Sequence, residues 1–160
     1  MFASTHDALT QAFATRLSRS LERRRLNIHD RVVFIMPFVP HPTYLRLNEL
    51  CDVMLDTLHW SGGNTSLDAL SCGLPVVTMP GPLMRGRQSQ AMLKVLGAGE
   101  LIVDDIDRYI DTAVRLGRDA TWRRALSERI LANRGELFER EEPIRALEDF
   151  LESAAQGRRA

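Results

Sequence analysis

The chain has 160 residues, of which 44% are hydrophobic and 26% are charged, as in an ordinary globular domain or a piece of a larger protein. Its formal net charge is +0, so the bulk charge gives no reason to expect nucleic acid or an anionic membrane as a partner. No apolar run approaches the ~20 residues that a membrane-spanning helix requires. Cys51 and Cys72 lie in apolar stretches without zinc-ligand spacing, so we expect buried free thiols in a reducing cytoplasm.

Apolar residues at helical spacing dominate both ends of the chain. Leu9, Phe13 and Leu17 form part of one stripe that predicts a helix over residues 5–25. Similar spacing predicts helices over residues 104–116, 119–133 and 141–152, followed by a frayed tail over residues 153–160.

Between these ends, short apolar runs alternate with helical segments. Runs at residues 32–36, 52–56 and 75–79 predict strands, and a further short run occupies residues 101–103. Helices are predicted over residues 43–50, with Thr43 as the cap, and over residues 65–72 and 85–96. Gly73 is predicted to end the second of these helices in the left-handed conformation. This order predicts an α/β fold with a parallel sheet flanked by helices and a helical C-terminus. Such sheets normally open with a strand, so we expect the front of the chain to be truncated or completed by another segment.

A glycine turn between the second and third predicted strands is the first candidate site. Gly62 and Gly63 permit a close backbone approach to a ligand. Asn64 or Thr65 is predicted to cap the following helix, whose N-terminus favours an anion such as phosphate, and Asp68 lies one turn further on. The alternative is a plain capped turn in which Asp68 only complements the helix dipole.

Other polar residues flank this region. His41 follows the first predicted strand in a loop with three prolines, either as a ligand contact or as a solvated residue, and Tyr44 lies three residues later. Arg85 and Arg87 either offset phosphate charge or start a solvated helix. His59 and Trp60 precede the turn, where the indole either stacks on a flat ring or packs the loop. No catalytic triad or carboxylate pair is evident, so the chain shows no general base of its own.

The stretch 52–81 resembles the C-terminal catalytic lobe of the O-GlcNAc transferase family, which includes the SPINDLY-like proteins. The resemblance rests on the run DVMLDT, on Gly63-Asn64-Thr65 with Asp68, and on the run GLPVVTMPG. The upstream run VFIMP with His41 and the downstream Leu96-Gly97 align in the same order. The resemblance covers residues 26–151.

The resemblance implies the GT-B fold, whose Rossmann-like C-terminal lobe binds a sugar nucleotide, usually a UDP-sugar. By position, the Phe38-Val39 backbone would contact the uracil, while His41 and Tyr44 would replace a family lysine and histidine near the base and ribose. Asn64 and Thr65 would replace a Thr-Thr pair that binds the diphosphate, and Asp68 would bind the ribose hydroxyls. Gly63 stands where the family has a histidine. The implied donor site therefore comprises Phe38, Val39, His41, Tyr44, Gly62, Gly63, Asn64, Thr65 and Asp68.

We therefore interpret residues 1–160 as a single partial domain. Residues 1–25 form an N-terminal helix, 26–103 the nucleotide-sugar-binding α/β core, 104–152 the C-terminal helices and 153–160 a tail. We expect a cytoplasmic glycosyltransferase that moves a sugar from a UDP-sugar to a protein or peptide hydroxyl, with no metal or other cofactor.

Several parts of the family's enzyme are not found in the chain. These are the N-terminal lobe with its acceptor site and catalytic histidine, a lysine that stabilises the leaving diphosphate, and the tetratricopeptide repeats. We therefore expect the chain to be incomplete on its own. Two alternatives stay open: a non-catalytic interaction module or relic, and another GT-B enzyme, either a small-molecule glycosyltransferase or a nucleotide-sugar epimerase.

Overall fold

A computed structural model describes residues 7–35, 39–138 and 140–157 of the chain. The described residues form two compact units that are divided between Tyr44 and Leu45. Both ends of the described chain are helical, as predicted, and the segment between them contains a small parallel sheet.

The first unit contains helix α1, Asp7–Glu22, and a short 3-10 turn, Ile28–Asp30. Helix α1 ends in a reversal where the Leu26 amide donates to the Leu21 carbonyl at 3.0 Å, and Arg25 takes φ 58°. This is the left-handed closing position that helices usually give to glycine. The helix therefore ends three residues before the predicted boundary at residue 25.

Of the strand predicted over residues 32–36, the part that the structure describes keeps a single β-bridge residue, Phe34. Residues 32–35 belong to no named strand, and the side chains of Val33 and Phe34 are 68% and 36% exposed. A strand that is apolar on both faces needs cover on both faces, and Val33 lacks it. Met36 lies outside the described residues. Helix α2 then spans His41–Glu49, so it begins two residues before the predicted cap, Thr43.

The second unit is organised around strands β1, Met54–Leu55, and β2, Val76–Val77, which pair in parallel with Met54 opposite Val76. A single parallel bridge from Thr78 to Ile102 extends this sheet, so the fourth predicted run contributes one residue. Helix α3, Asn64–Ser71, connects the two strands, and Gly73 follows it with φ +75°, as predicted.

The predicted helix over residues 85–96 is divided. A 3-10 turn, Met84–Gly86, precedes helix α4, Gln88–Val95, and the Arg87 amide closes that turn on the Met84 carbonyl at 3.0 Å. Helices α5, Ile106–Arg118, α6, Ala120–Asn133, and α7, Glu142–Ala155, follow. Part of the predicted frayed tail, up to Ala155, is therefore helical.

The core of this unit lies where α3, α4, α5 and α6 meet the sheet. Leu70, Val77, Leu93, Leu116 and Leu126 are completely buried there. Burial of an aliphatic side chain of this size contributes about 1.5–3 kcal/mol, so this cluster fixes the ends of the strands that carry the candidate site. Within the described residues, no helix is both long enough and apolar enough to cross a membrane.

The two cysteines are free thiols, as predicted, but both are only half-buried. They line a cavity of about 190 Å³ with Asp52, Pro75 and Arg123. Asp52 and Pro75 precede β1 and β2, so this cavity lies at the edge of the sheet where the strands begin. The glycine turn follows the opposite ends of the strands.

Candidate functional site

The glycine turn joins the end of β1 to α3. Gly63 is the N-cap of α3, and no side chain makes a capping hydrogen bond there. Asn64 and Thr65 are the first two helical residues, so the prediction that one of them caps the helix is wrong. The cause is the turn itself, which places a glycine at the position where a capping side chain would stand. The helix N-terminus is consequently free of a side-chain oxygen from its own cap.

Gly62 is required by close packing in the turn. A Cβ atom at this position would lie 2.3 Å from the Ser66 hydroxyl oxygen and 2.8 Å from that of Thr65. Real Cβ contacts are longer than this, so any side chain at Gly62 would displace the Ser66 and Thr65 hydroxyls. The sequence predicts that this glycine permits the close approach of a ligand. In the structure the group that approaches it is the first turn of α3, and the approach of a ligand stays a prediction.

A buried carboxyl group, that of Asp56, anchors the glycine turn by hydrogen bonds. Asp56, which follows β1, is 4% exposed and accepts three hydrogen bonds. Its Oδ1 accepts from the Gly62 amide at 2.8 Å. Its Oδ2 accepts from the hydroxyls of Ser61 and Thr78, each at 2.7 Å. The ends of the two strands and the turn between them are thereby tied to one side chain.

Helix α4 is attached to the same turn through Ser89. The Ser89 amide donates to the Ser61 hydroxyl oxygen at 3.0 Å, and its own hydroxyl lies 2.8 Å from that of Ser66. The Ser61 amide donates to the Arg85 carbonyl at 2.7 Å. All three serines are buried. The N-termini of α3 and α4 are therefore held next to each other by hydroxyl contacts.

Tyr109 of α5 holds the end of β1. Its hydroxyl donates to the Asp56 backbone carbonyl at 2.8 Å. Burial, and secondly the negative charge of Asp56, raises the pKa of Tyr109 to about 12. The phenol is neutral and donating at physiological pH, as it already is at its ordinary pKa of 10.0, and the raised pKa extends this form to higher pH.

The outward side of the turn carries the predicted ligand residues. Asn64 and Thr65 are exposed, and Asp68 is half-buried in the second turn of α3. The structure thus brings Gly62, Gly63, Asn64, Thr65 and Asp68 together at one helix N-terminus, as their sequence spacing predicts. This end of α3 also carries the positive end of the helix dipole.

The remaining predicted donor residues belong to the first unit or lie outside the described residues. Phe38 is not described. Val39 is half-buried, His41 is the exposed first residue of α2 rather than part of a loop, and Tyr44 is half-buried within α2. Their assembly with the glycine turn into one donor site stays a prediction.

The other cationic and aromatic candidates lie on the surface. Trp60 is 66% exposed, and the Arg85 guanidinium lies 5.9 Å from the centre of its indole ring. Arg87 is exposed and donates through Nε to the Gln90 side chain at 3.1 Å. His59 is exposed. The arrangement fits the solvated alternative for the two arginines.

The described part of the chain contains no group of three His, Cys, Asp or Glu side chains positioned to hold a metal ion. The expectation that the reaction needs no metal stays a prediction. What the site offers is a helix N-terminus, a neutral polar rim and one nearby carboxyl group, Asp68. These groups can bind a phosphate and a hydroxyl-bearing group.

Several residues of the site were not predicted from the sequence. These are the buried polar residues that hold the turn: Asp56, Ser61, Ser66, Thr78, Ser89 and Tyr109. One signal was available, since Asp56 and Thr78 are polar residues at the ends of otherwise apolar strands. Polar residues at the carboxyl ends of parallel strands often serve a site at that edge.

Comparison with known proteins identifies similar chains. A curated relative from Arabidopsis thaliana, named as a probable UDP-N-acetylglucosamine–peptide N-acetylglucosaminyltransferase SPINDLY, is 28% identical over 72% of this chain and 12% of its own length. The UDP-N-acetylglucosamine–peptide N-acetylglucosaminyltransferase of Giardia intestinalis is 33% identical over 70% of this chain and 8% of its own length. The chain therefore spans about a tenth of these relatives.

A solved structure and a family-wide sequence match agree with these relatives. A mutant of the O-GlcNAc transferase from Thermobaculum terrenum superposes with a TM-score of 0.74 at 36% identity, covering 86% of this chain and 26% of that one. The predicted α/β fold of an O-GlcNAc transferase lobe is thus confirmed. The sequence model of glycosyl transferase family 41 matches residues 13–144. The chain belongs to glycosyl transferase family 41.

Proposed function

We propose that this chain forms the donor-binding part of an enzyme that transfers a sugar from a UDP-sugar to a protein or peptide hydroxyl. Family membership supports glycosyl transfer, and the names of the relatives supply the class of donor and acceptor. The observation that carries the proposal is the rigid glycine turn in front of α3. It leaves the helix N-terminus without a side-chain cap, next to Asp68.

In the proposed complex, the diphosphate of the donor lies before α3. The backbone amides at the start of the helix, with the side chains of Asn64 and Thr65, donate to phosphate oxygens. Asp68 accepts from the ribose hydroxyls. From the family resemblance alone, we assign the contacts with uracil and ribose to the Phe38-Val39 backbone, His41 and Tyr44.

In the transfer step, the acceptor oxygen attacks the anomeric carbon, and the bond from that carbon to the UDP oxygen breaks. Negative charge develops on the departing diphosphate, where the positive end of α3 stabilises it. The acceptor proton passes to a base that we assign to parts of the whole enzyme other than this chain. We assign the binding of the protein acceptor to those parts as well.

Calorimetric titration of UDP into the 160-residue chain tests this proposal, with Asp68→Ala as the probe and Asp111→Ala as the control. Asp111 is an exposed carboxylate of α5. Loss of a charged hydrogen bond weakens binding by about 1.5–3 kcal/mol, so we expect Asp68→Ala to bind UDP at least about tenfold more weakly. Asp111→Ala should bind as the unaltered chain does. Equal heats for the Asp68→Ala and unaltered chains would overturn the proposal.

A non-catalytic interaction module is the second candidate, and one observation favours it. Helix α7 exposes Ile144, Leu147, Phe150 and Leu151, each by 56–58%. Apolar surface of this kind marks a contact with another protein segment, such as a second copy of this chain or tetratricopeptide repeats. A chain that binds no UDP but associates reversibly in sedimentation velocity would support this candidate over the first.

A further inference from the structure

Gln88, the first residue of α4, lies against the glycine turn. A Cβ atom built on Gly63 would be 3.0 Å from the Gln88 Oε1 atom. Among the residues that the structure describes, apart from the chain neighbours, no other heavy atom would lie within 4 Å of it. The space beside the N-cap of α3 is therefore shared by a residue without a side chain and an amide from the adjacent helix.

The backbone of Gln88 is held in this position. The next residue, Ser89, is buried and bonded to Ser61 through its amide and to Ser66 through its hydroxyl. These contacts join α4 to both sides of the turn. The place from which the Gln88 side chain projects is consequently fixed relative to the N-terminus of α3.

The Gln88 side chain is half-buried, and it makes no hydrogen bond to any of the described residues. An amide carries two donors and two acceptor sites, and partly buried amides normally use them. The adjacent cations are engaged elsewhere, since Arg87 donates to Gln90 and Arg85 lies by Trp60. Gln88 is thus an amide without a protein partner beside an uncapped helix N-terminus.

We infer that Gln88 binds the diphosphate of the nucleotide donor, with its Nε2 group donating to a phosphate oxygen beside the first amides of α3. Rotation of the terminal amide presents either Oε1 or Nε2 to the ligand. Gly63 favours this contact because a Cβ there would lie 3.0 Å from Gln88 Oε1 and would push the amide aside by a few tenths of an ångström. The inference rests on the proposed UDP-sugar site and assigns one further diphosphate contact within it.

Binding of UDP and of uridine, which lacks both phosphates, tests the inference in three variants of the chain. We expect Gln88→Ala to weaken UDP binding about tenfold and to change uridine binding less than twofold, because one hydrogen bond to a charged group is lost. Gln88→Glu should weaken UDP binding further, since it places a negative charge beside the phosphates. Gln156→Ala, an exposed amide after α7, should leave both affinities unchanged.

Gly63→Ala completes a double-mutant cycle. Its Cβ displaces the Gln88 amide, so we expect it to weaken UDP binding in the unaltered chain and to have little further effect in the Gln88→Ala chain. UDP binding that is unaffected by Gln88→Ala and Gln88→Glu would overturn this inference and leave the proposed function intact. A chain that binds no UDP would overturn both.

Discussion

Replacement of Asp56 by alanine removes the group that joins the two strand ends to the glycine turn. The carboxyl group is 4% exposed and accepts from Gly62, Ser61 and Thr78 at 2.7–2.8 Å. A hydrogen bond to a charged group contributes about 1.5–3 kcal/mol. The Ser61 hydroxyl can donate to Ser89 instead, which lies 2.9 Å away, so two donors stay unpaired. We therefore expect Asp56→Ala to lower the free energy of unfolding by about 3–5 kcal/mol.

Equilibrium unfolding in urea, followed by far-ultraviolet circular dichroism, measures this loss. Asp56→Asn keeps the shape and one acceptor, so it should cost about 1–2 kcal/mol. Asp52→Ala is the matched control at the other end of the strand, where the carboxylate pairs with Arg123 at 3.1 Å and its side chain is 60% exposed. An exposed pair contributes at most about 1 kcal/mol. An Asp56→Ala chain within 0.5 kcal/mol (about the size of an ordinary surface effect) of the unaltered chain would refute the role of Asp56.

Three further predictions concern pH and backbone conformation. In a Tyr44→Phe background, the phenolate absorbance of Tyr109 should rise with a midpoint near pH 12. Because the pKa of Tyr109 is raised in the folded chain, its contribution to the free energy of unfolding is complete below about pH 10 and is lost between pH 10 and 12. A free energy of unfolding that stays constant across that window would contradict this prediction. Arg25→Gly should raise the free energy of unfolding of the first unit by about 0.5–1 kcal/mol and raise its melting temperature, because Arg25 has φ 58°. A lowered melting temperature would count against the left-handed conformation of Arg25. Gly73→Ala should cost about 2–4 kcal/mol, because φ is +75° and the new Cβ meets Leu131 at 2.8 Å. Gly97→Ala should cost about 1 kcal/mol, because φ is +67° but the new Cβ makes only an ordinary contact of 3.7 Å with Asn133 Nδ2. Equal losses for both would contradict the packing argument.

The helices and the position of the glycine turn could be predicted from the sequence because both depend on local patterns. Apolar spacing placed α5 and α6 within a few residues of their observed bounds. The conformation of Gly73 followed from its position after a helical run. Local spacing also brought Asn64, Thr65 and Asp68 to one end of α3.

The contacts that hold the turn could not be predicted because they join residues that are distant in the sequence. Ser61 and Ser89 are 28 positions apart, and Tyr109 is 53 positions from Asp56. No periodicity reports such pairs. The strand predicted at residues 32–36 is reduced to one bridged residue, Phe34, for a related reason. An apolar run becomes a buried strand only when other elements cover it, and Val33 is mostly exposed.

The most direct test of the central claim is the effect of UDP on the backbone amides of the chain, measured by ¹⁵N–¹H nuclear magnetic resonance. If the N-terminus of α3 binds the diphosphate, the amide signals of Gly63, Asn64 and Thr65 shift and saturate with UDP, and uridine shifts them far less. The amides of α7, such as Leu147, should not respond. Two results would contradict the account. One is saturating shifts elsewhere with unchanged signals at the glycine turn. The other is the absence of any shift at several millimolar UDP, since a Kd of about 1 mM corresponds to a binding free energy of about −4 kcal/mol.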